Sequence, residues 1–135
     1  MEKKISKFKQ PEEFFSFLKE EFGLSIFSNA QRCLAIMLDM FEGDKQVTFL
    51  IKTAFNNKVY ETLLIAKDST SENKLSCIEK AIKILTDNFA TDKEKAIWVV
   101  SFVANIMYPK EWNTFLTEHH YAYKQHQLDA LVSAS

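Results

Sequence analysis

The stretch Ala96 to Met107, AIWVVSFVANIM, is apolar on nearly every side of a helix and follows the polar run Thr91-Asp92-Lys93-Glu94. A helix that is apolar all round must be buried among other elements. A bilayer span needs about 20 apolar residues, and lysines bracket this shorter stretch, so its surroundings must be other helices of the same chain. The sequence therefore predicts an all-α, compact single-domain bundle of about five to seven helices around a central helix near residues 92–108.

Length and charge narrow the class of protein. The chain has 135 residues, which fits one domain with a sizeable core. Seventeen basic and eighteen acidic side chains leave a formal net charge of -1. Such a balance gives no overall field that would attract nucleic acid or an anionic membrane. We therefore expect neither as a partner.

Cysteine usage and the N-terminal segment point to a cytoplasmic protein. Cys33 and Cys77 lie far apart within apolar helical patterns, which is typical of reduced, buried thiols and not of a disulfide framework. The segment MEKKISKFKQ carries lysines but has no apolar run behind it, so it does not resemble a signal peptide.

Glycine and proline occur only twice each, at expected helix ends. Pro11 and Gly23 bound a first helix from Pro11 to Phe22. Capping patterns and apolar periodicity then predict the remaining helices. The second helix runs from the Ser28/Gln31 capping box to Phe41, and the third runs from Asp44 to the Asn56-Asn57 turn with Val47, Leu50, Ile51, Ala54 and Phe55 inward. The fourth helix runs from Val59 to Ala66, and the fifth runs from the Ser69/Glu72 capping box to Phe89. The central helix runs from the Thr91/Glu94 capping box to Pro109, and a last helix of a turn or two begins at Glu111.

The same patterns suggest three regions. Residues 1–10 form a lysine-rich N-terminal arm, residues 11–118 form the helical bundle, and residues 119–135 form a C-terminal tail or short helix.

Signals for catalysis are thin, and we expect no enzyme and no cofactor. With only two glycines the chain lacks a phosphate-binding glycine loop. Cys33 sits in an apolar helix, which favours a core thiol over a nucleophile. His119, His120 and His126 form a short histidine-rich tract, but their spacing matches no metal-ligand motif, so solvated side chains are favoured over a metal site.

The central helix carries two polar residues on one face. Ser101 and Asn105 lie four residues apart, and buried polar groups need hydrogen-bond partners. A hydrogen bond between helices is the favoured interpretation, and a ligand pocket is the alternative. Trp98 is a candidate for the wall of a groove.

Aromatic residues are the best candidates for a binding surface. The first helix carries Phe14, Phe15, Phe17 and Phe22 on more than one face. A single helix cannot bury all four, so part of this cluster is expected to form an exposed apolar patch. The alternative is that the first helix lies deep in the bundle. The candidate partner-binding residues are Phe8, Phe14, Phe15, Phe17, Phe22 and Trp112.

A resemblance supports a similar role. The run from Phe17 to Phe27, FLKEEFGLSIF, followed by QRCLAIMLD from Gln31 to Asp39, resembles the opening of a small helical domain of many bacterial proteins. EKAIWVV, from Glu94 to Val100, is similar to the closing pattern of that domain. The resemblance spans roughly Pro11 to Tyr108. It implies an accessory or adaptor domain that accompanies chaperone-like, signalling or conflict-system modules and has no catalytic residues of its own.

We therefore expect a non-enzymatic adaptor or regulatory module that binds another protein, itself as a homodimer, or both, through an aromatic helix surface. One alternative is an inhibitor of a host or defence protein encoded by a phage or mobile element. Another is a sensor of a small ligand or metal that uses Ser101 and Asn105 or the histidine tract. A third, disfavoured alternative is nucleic-acid binding through the N-terminal lysines with Phe8.

Overall fold

The described part of the protein is helical throughout its length. A computed structural model describes residues 8–118. The expected all-α class is confirmed. These residues form seven α-helices, the upper end of the five to seven that the sequence predicts. The α-helices are α1 (Pro11–Phe22), α2 (Ala30–Met40), α3 (Lys45–Asn56), α4 (Val59–Ile65), α5 (Ser71–Phe89), α6 (Lys93–Met107) and α7 (Pro109–Glu118), with a 3-10 helix at Leu24–Ser28.

Helix α6 lies at the centre, as its composition predicts. Its residues from Ala96 to Val100 and from Phe102 to Ala104 are all buried. It packs against α1, α3, α4, α5 and α7. Among the helices described between residues 8 and 118, none is long and apolar enough to cross a membrane. The apolar surface of α6 is therefore covered by the rest of the bundle.

Two buried tyrosines fix α4 against α6. The Tyr60 hydroxyl donates to the Val99 carbonyl at 3.1 Å, and the Tyr108 hydroxyl donates to the Leu63 carbonyl at 3.0 Å. Burial raises the pKa of both phenols well above the usual range, so both retain the proton that they donate. Each bond satisfies a buried hydroxyl that would otherwise destabilise the core by about 1–3 kcal/mol.

The predicted start of α3 is confirmed, because the Asp44 carboxylate accepts from the Val47 amide at 2.8 Å. Three other predicted caps are wrong by one residue. Ser28 belongs to the 3-10 helix, and its hydroxyl donates to the Ser25 carbonyl. Where two neighbouring residues can both cap, backbone geometry selects one of them. The caps are Asn29 for α2, Thr70 for α5 and Asp92 for α6, in place of Ser28, Ser69 and Thr91.

Two further boundaries differ from the expectation. Helix α2 ends at Met40 instead of Phe41, and α7 extends over ten residues instead of a turn or two. Phe8, which lies in the segment assigned to the arm, pairs with the chain after α2. Its amide donates to the Met40 carbonyl and its carbonyl accepts from the Glu42 amide, each at 2.7 Å. Contacts with the bundle therefore begin before residue 11.

Gly43 makes room for the Phe41 ring. A Cβ at Gly43 would overlap the edge of the Phe41 ring. That ring is buried and stacks on Phe14 with centroids 5.5 Å apart. A side chain at position 43 therefore requires the Phe41 ring to move.

We expect Gly43→Ala to lower the free energy of unfolding by about 1–3 kcal/mol, the usual cost of overpacking. Chemical denaturation measures the change. In a Phe41→Leu background the ring is gone and the same substitution should cost much less. An equal cost in both backgrounds would show that contact with the ring is not the cause.

Candidate functional site

Three of the six predicted partner-binding residues lie in the core of the bundle. Phe14 and Phe15 are 0 % exposed, and Trp112 is also buried. None of these three residues can belong to an exposed patch, because this face of α1 lies deep in the bundle and Trp112 is on the buried face of α7. The Phe15 ring packs within 6.1 Å, centroid to centroid, of the rings of Phe27, Phe55, Tyr60 and Phe102.

The other three candidates largely cover one another. Phe8, Phe17 and Phe22 are each partly buried. The Phe17 ring lies 5.1 Å from the Phe8 ring and 6.2 Å from the Phe22 ring. The Arg32 guanidinium lies 4.6 Å from the centroid of Phe22, a distance suited to a cation–π contact. Partner binding at these residues stays a prediction.

The polar strip of α6 does not bridge helices in the expected way. The Ser101 hydroxyl donates to the Trp98 carbonyl within α6, and Asn105 is exposed. Trp98 is buried beside Phe102, so it lies in the core and not in the wall of a groove. Its Nε1 is the one buried side-chain nitrogen or oxygen among residues 8–118 without a hydrogen-bond partner.

Cys33 is a core thiol, as its helical pattern predicts. Its Sγ donates to the Ile26 carbonyl at 3.0 Å. Burial raises the pKa of this thiol to about 12, against a smaller opposing effect of Arg32. Cys33 is therefore protonated at neutral pH and unsuited to nucleophilic attack. Cys77 is also a free thiol, but it is only partly buried.

Metal-ligating residues do not converge in the part of the chain that the structure describes. No group of three or more His, Cys, Asp or Glu residues is placed there to hold an ion. The tract of His119, His120 and His126 lies outside the described residues.

An open apolar groove lies where α3 begins and α5 turns into α6. We call it the Phe49 groove. Its volume is about 470 Å³. Phe49 is 62 % exposed and Phe89 is 38 % exposed, so both walls offer aromatic surface to a partner. The lining residues are Lys45, Gln46, Phe49, Leu50, Phe89, Ala90, Thr91, Asp92 and Lys95.

A second groove lies on the other side of the same turn. We call it the Phe115 groove, and its volume is about 400 Å³. Thr91 lines both this groove and the Phe49 groove, so both grooves border the turn between α5 and α6. The lining residues are Glu79, Ile82, Lys83, Thr86, Thr91, Lys93 and Phe115.

Ala90 shapes the turn between the grooves. It adopts the left-handed conformation, with φ 51° and ψ 30°, which costs a residue with a Cβ about 1 kcal/mol or more. The Ala90 and Thr91 amides both donate to the Leu85 carbonyl. This reversal ends α5 immediately after Phe89 and leaves that ring uncovered by a further helical turn.

Lysines dominate the charge around the two grooves. Lys45 and Lys95 line the Phe49 groove, and Lys83 and Lys93 line the Phe115 groove. The carboxylates in the two linings belong to Glu79 and Asp92, and Asp92 caps α6 by accepting from the Glu94 amide at 2.9 Å. The surface is locally basic on a chain whose net charge is -1.

Other exposed apolar residues lie outside both grooves. Leu38 of α2 and Ile65 of α4 are 65 % and 75 % exposed, and neither lines a groove. Single exposed apolar side chains are common on protein surfaces and need no functional explanation.

The sequence contains one signal for the Phe49 groove. Phe49 falls outside the apolar stripe of α3, which runs through Val47, Leu50 and Ile51, and an off-stripe aromatic residue points away from the core. Phe89 gave no such signal, because it continues the apolar stripe of α5. Comparison of the chain with models of protein families, with curated proteins and with solved structures finds no match.

A buried carboxylate links α5 to α7 away from the Phe49 groove. The Ser71 hydroxyl donates to Glu111 Oε2 at 2.7 Å. This hydrogen bond lowers the pKa of Glu111 below its ordinary value of 4.5, against the opposing effect of burial. The ionised carboxylate therefore stabilises the folded chain.

Because the folded pKa of Glu111 is lowered, its contribution is complete above pH 4.5 and is lost as pH falls through the folded pKa. We expect Glu111→Gln to lower the free energy of unfolding by about 1–2 kcal/mol at pH 7. The deficit should shrink as the solution is acidified below pH 4.5. The measurement is chemical denaturation across this pH range, with and without Glu111→Gln. In a Ser71→Ala background, which lacks the donating hydroxyl, the loss of stability caused by Glu111→Gln should depend less on pH. The same dependence in both backgrounds would contradict the assignment.

Proposed function

We propose that this chain is a non-enzymatic adaptor or regulatory module that binds a segment of a partner protein in the Phe49 groove. One observation supports this above all others. Two phenylalanines with exposed ring surface, Phe49 and Phe89, line a single open groove that lysines border. Aromatic residues at such sites often dominate the energy of protein contacts.

The exposed aromatic surface of the groove can supply part of the energy of a specific contact. A phenylalanine buries about 150–250 Å² when fully covered, and apolar surface contributes about 25 cal/mol for each Å² removed from water. The exposed fractions of Phe49 and Phe89 together amount to about one whole phenylalanine, so covering them contributes about 4–6 kcal/mol before the cost of association.

The shape of the groove favours a protein partner over a small ligand. Small-molecule sites typically enclose about 70–90 % of the ligand surface. Phe49 is more than half exposed, and the long side chains of Lys45 and Lys95 also line the groove. A shallow apolar floor with charged edges resembles the core and rim of a protein interface.

We expect Phe49→Asp to abolish binding of the partner, because it places a charge in the apolar contact. The matched control is Ile65→Asp, which puts the same charge on a more exposed apolar residue outside both grooves. Tagged wild type and both variants, each shown by circular dichroism to be folded, are used for quantitative affinity capture from native lysate. The captured protein is then purified and titrated by calorimetry.

Binding that the Phe49 variant loses and the Ile65 variant keeps supports the proposal. A purified partner that binds the Phe49 variant as tightly as wild type would contradict it, as would the absence of any stoichiometric partner.

A further inference from the structure

We infer that the bound segment is acidic and carries two apolar side chains, one for each groove, on either side of its acidic residues. This inference rests on the proposed function and extends it to the chemistry of the partner. Thr91 lines both grooves, so one continuous segment that crosses the turn between α5 and α6 lies within reach of both.

The apolar floors define the two anchor positions. In the Phe49 groove, the buried Leu50 lines the site together with the exposed Phe49 and Phe89. In the Phe115 groove, Ile82 and Phe115 are buried and line the site. Each floor accepts a large apolar side chain, and Thr91 between them offers no comparable apolar surface.

The lysines define the charge of the segment. Lys45, Lys83 and Lys95 come from three different helices, yet all border the grooves. The two linings together contain four lysines and two carboxylates, those of Glu79 and Asp92. An acidic segment would therefore meet an excess of positive charge, which speeds association and fixes orientation.

A second copy of this chain fits the surface poorly. In a two-fold dimer the same patch appears on both subunits, so self-association would bring the lysines of one groove toward those of the other. Like charges placed opposite each other in an interface are unfavourable. The charge pattern thus favours a different, acidic partner.

Random-peptide phage display against the full, folded chain tests the inference. The most enriched peptide is synthesised with a fluorescent label, and its binding is measured by anisotropy at low and high salt. The variants are Lys45→Glu with Lys95→Glu, Phe49→Asp, and the control Lys67→Glu. Lys67 is exposed and precedes the first turn of α5. The turn that both grooves border follows the last residue of this helix, which is nineteen residues long. Lys67 therefore lies at the opposite end of α5 from that turn.

We expect enriched peptides with acidic residues between two large apolar residues. The double lysine variant should bind at least about tenfold more weakly, as should the Phe49 variant, while the Lys67 control changes little. Affinity for wild type should fall with added salt. Mutating either apolar residue of the peptide should also weaken binding.

The outcomes separate the inference from the proposed function. The inference is overturned, and the proposed function left intact, if the enriched peptides require Phe49 but fail one of three tests. Such peptides are neutral, bind the lysine variant as tightly as wild type, or depend on only one apolar residue. Enrichment that ignores Phe49, or no enrichment, counts against both. Concentration-dependent dimerisation that Phe49→Asp abolishes, or Phe49-dependent binding of an oligothymidine, would assign the surface to another occupant and overturn the inference.

Discussion

The fold depends on one constraint, the burial of a helix that is apolar on nearly every side. Helix α6 is buried from Ala96 to Val100 and from Phe102 to Ala104, so almost all of its surface must be covered. Five other helices meet this requirement, and each presents its own apolar stripe to α6. Two buried tyrosine hydroxyls then donate hydrogen bonds to backbone carbonyls between α4 and α6. Most large apolar side chains of the described residues are buried in this core. The few that stay exposed are therefore candidates for a binding surface.

Phe49 and Phe89 are such exceptions. Helix α3 turns Leu50 and Ile51 toward the core, and the same geometry points Phe49 outward. Phe89 ends α5, and the left-handed Ala90 directs the chain away before another turn can cover the ring. The fold brings together two residues forty positions apart and surrounds them with lysines from neighbouring helices. This surface, and not the aromatic cluster of α1, is the basis of the proposed function.

The sequence predicts the fold better than the site. The bounds of α1 and the burial of α6 follow from proline, glycine and apolar composition, which act locally. The depth of Phe14 and Phe15 does not, because amphipathic periodicity shows which face is apolar but not how many neighbours cover it. Capping residues were misplaced by one where two candidates adjoin, as at Ser28 and Asn29. Apart from the off-stripe position of Phe49, the sequence carries no signal for the grooves, because their walls come from helices distant in sequence and from the turn at Ala90.

Native-state hydrogen exchange followed by NMR tests the central role of α6 most directly. If α6 is the shared core, its amides from Val99 to Ala104 exchange only through global unfolding. Their opening free energies should equal the free energy of unfolding from denaturation and exceed those of the first turns of α3 and the last turn of α5. Exchange of the α6 amides through local openings of much lower free energy would contradict a bundle organised around this helix.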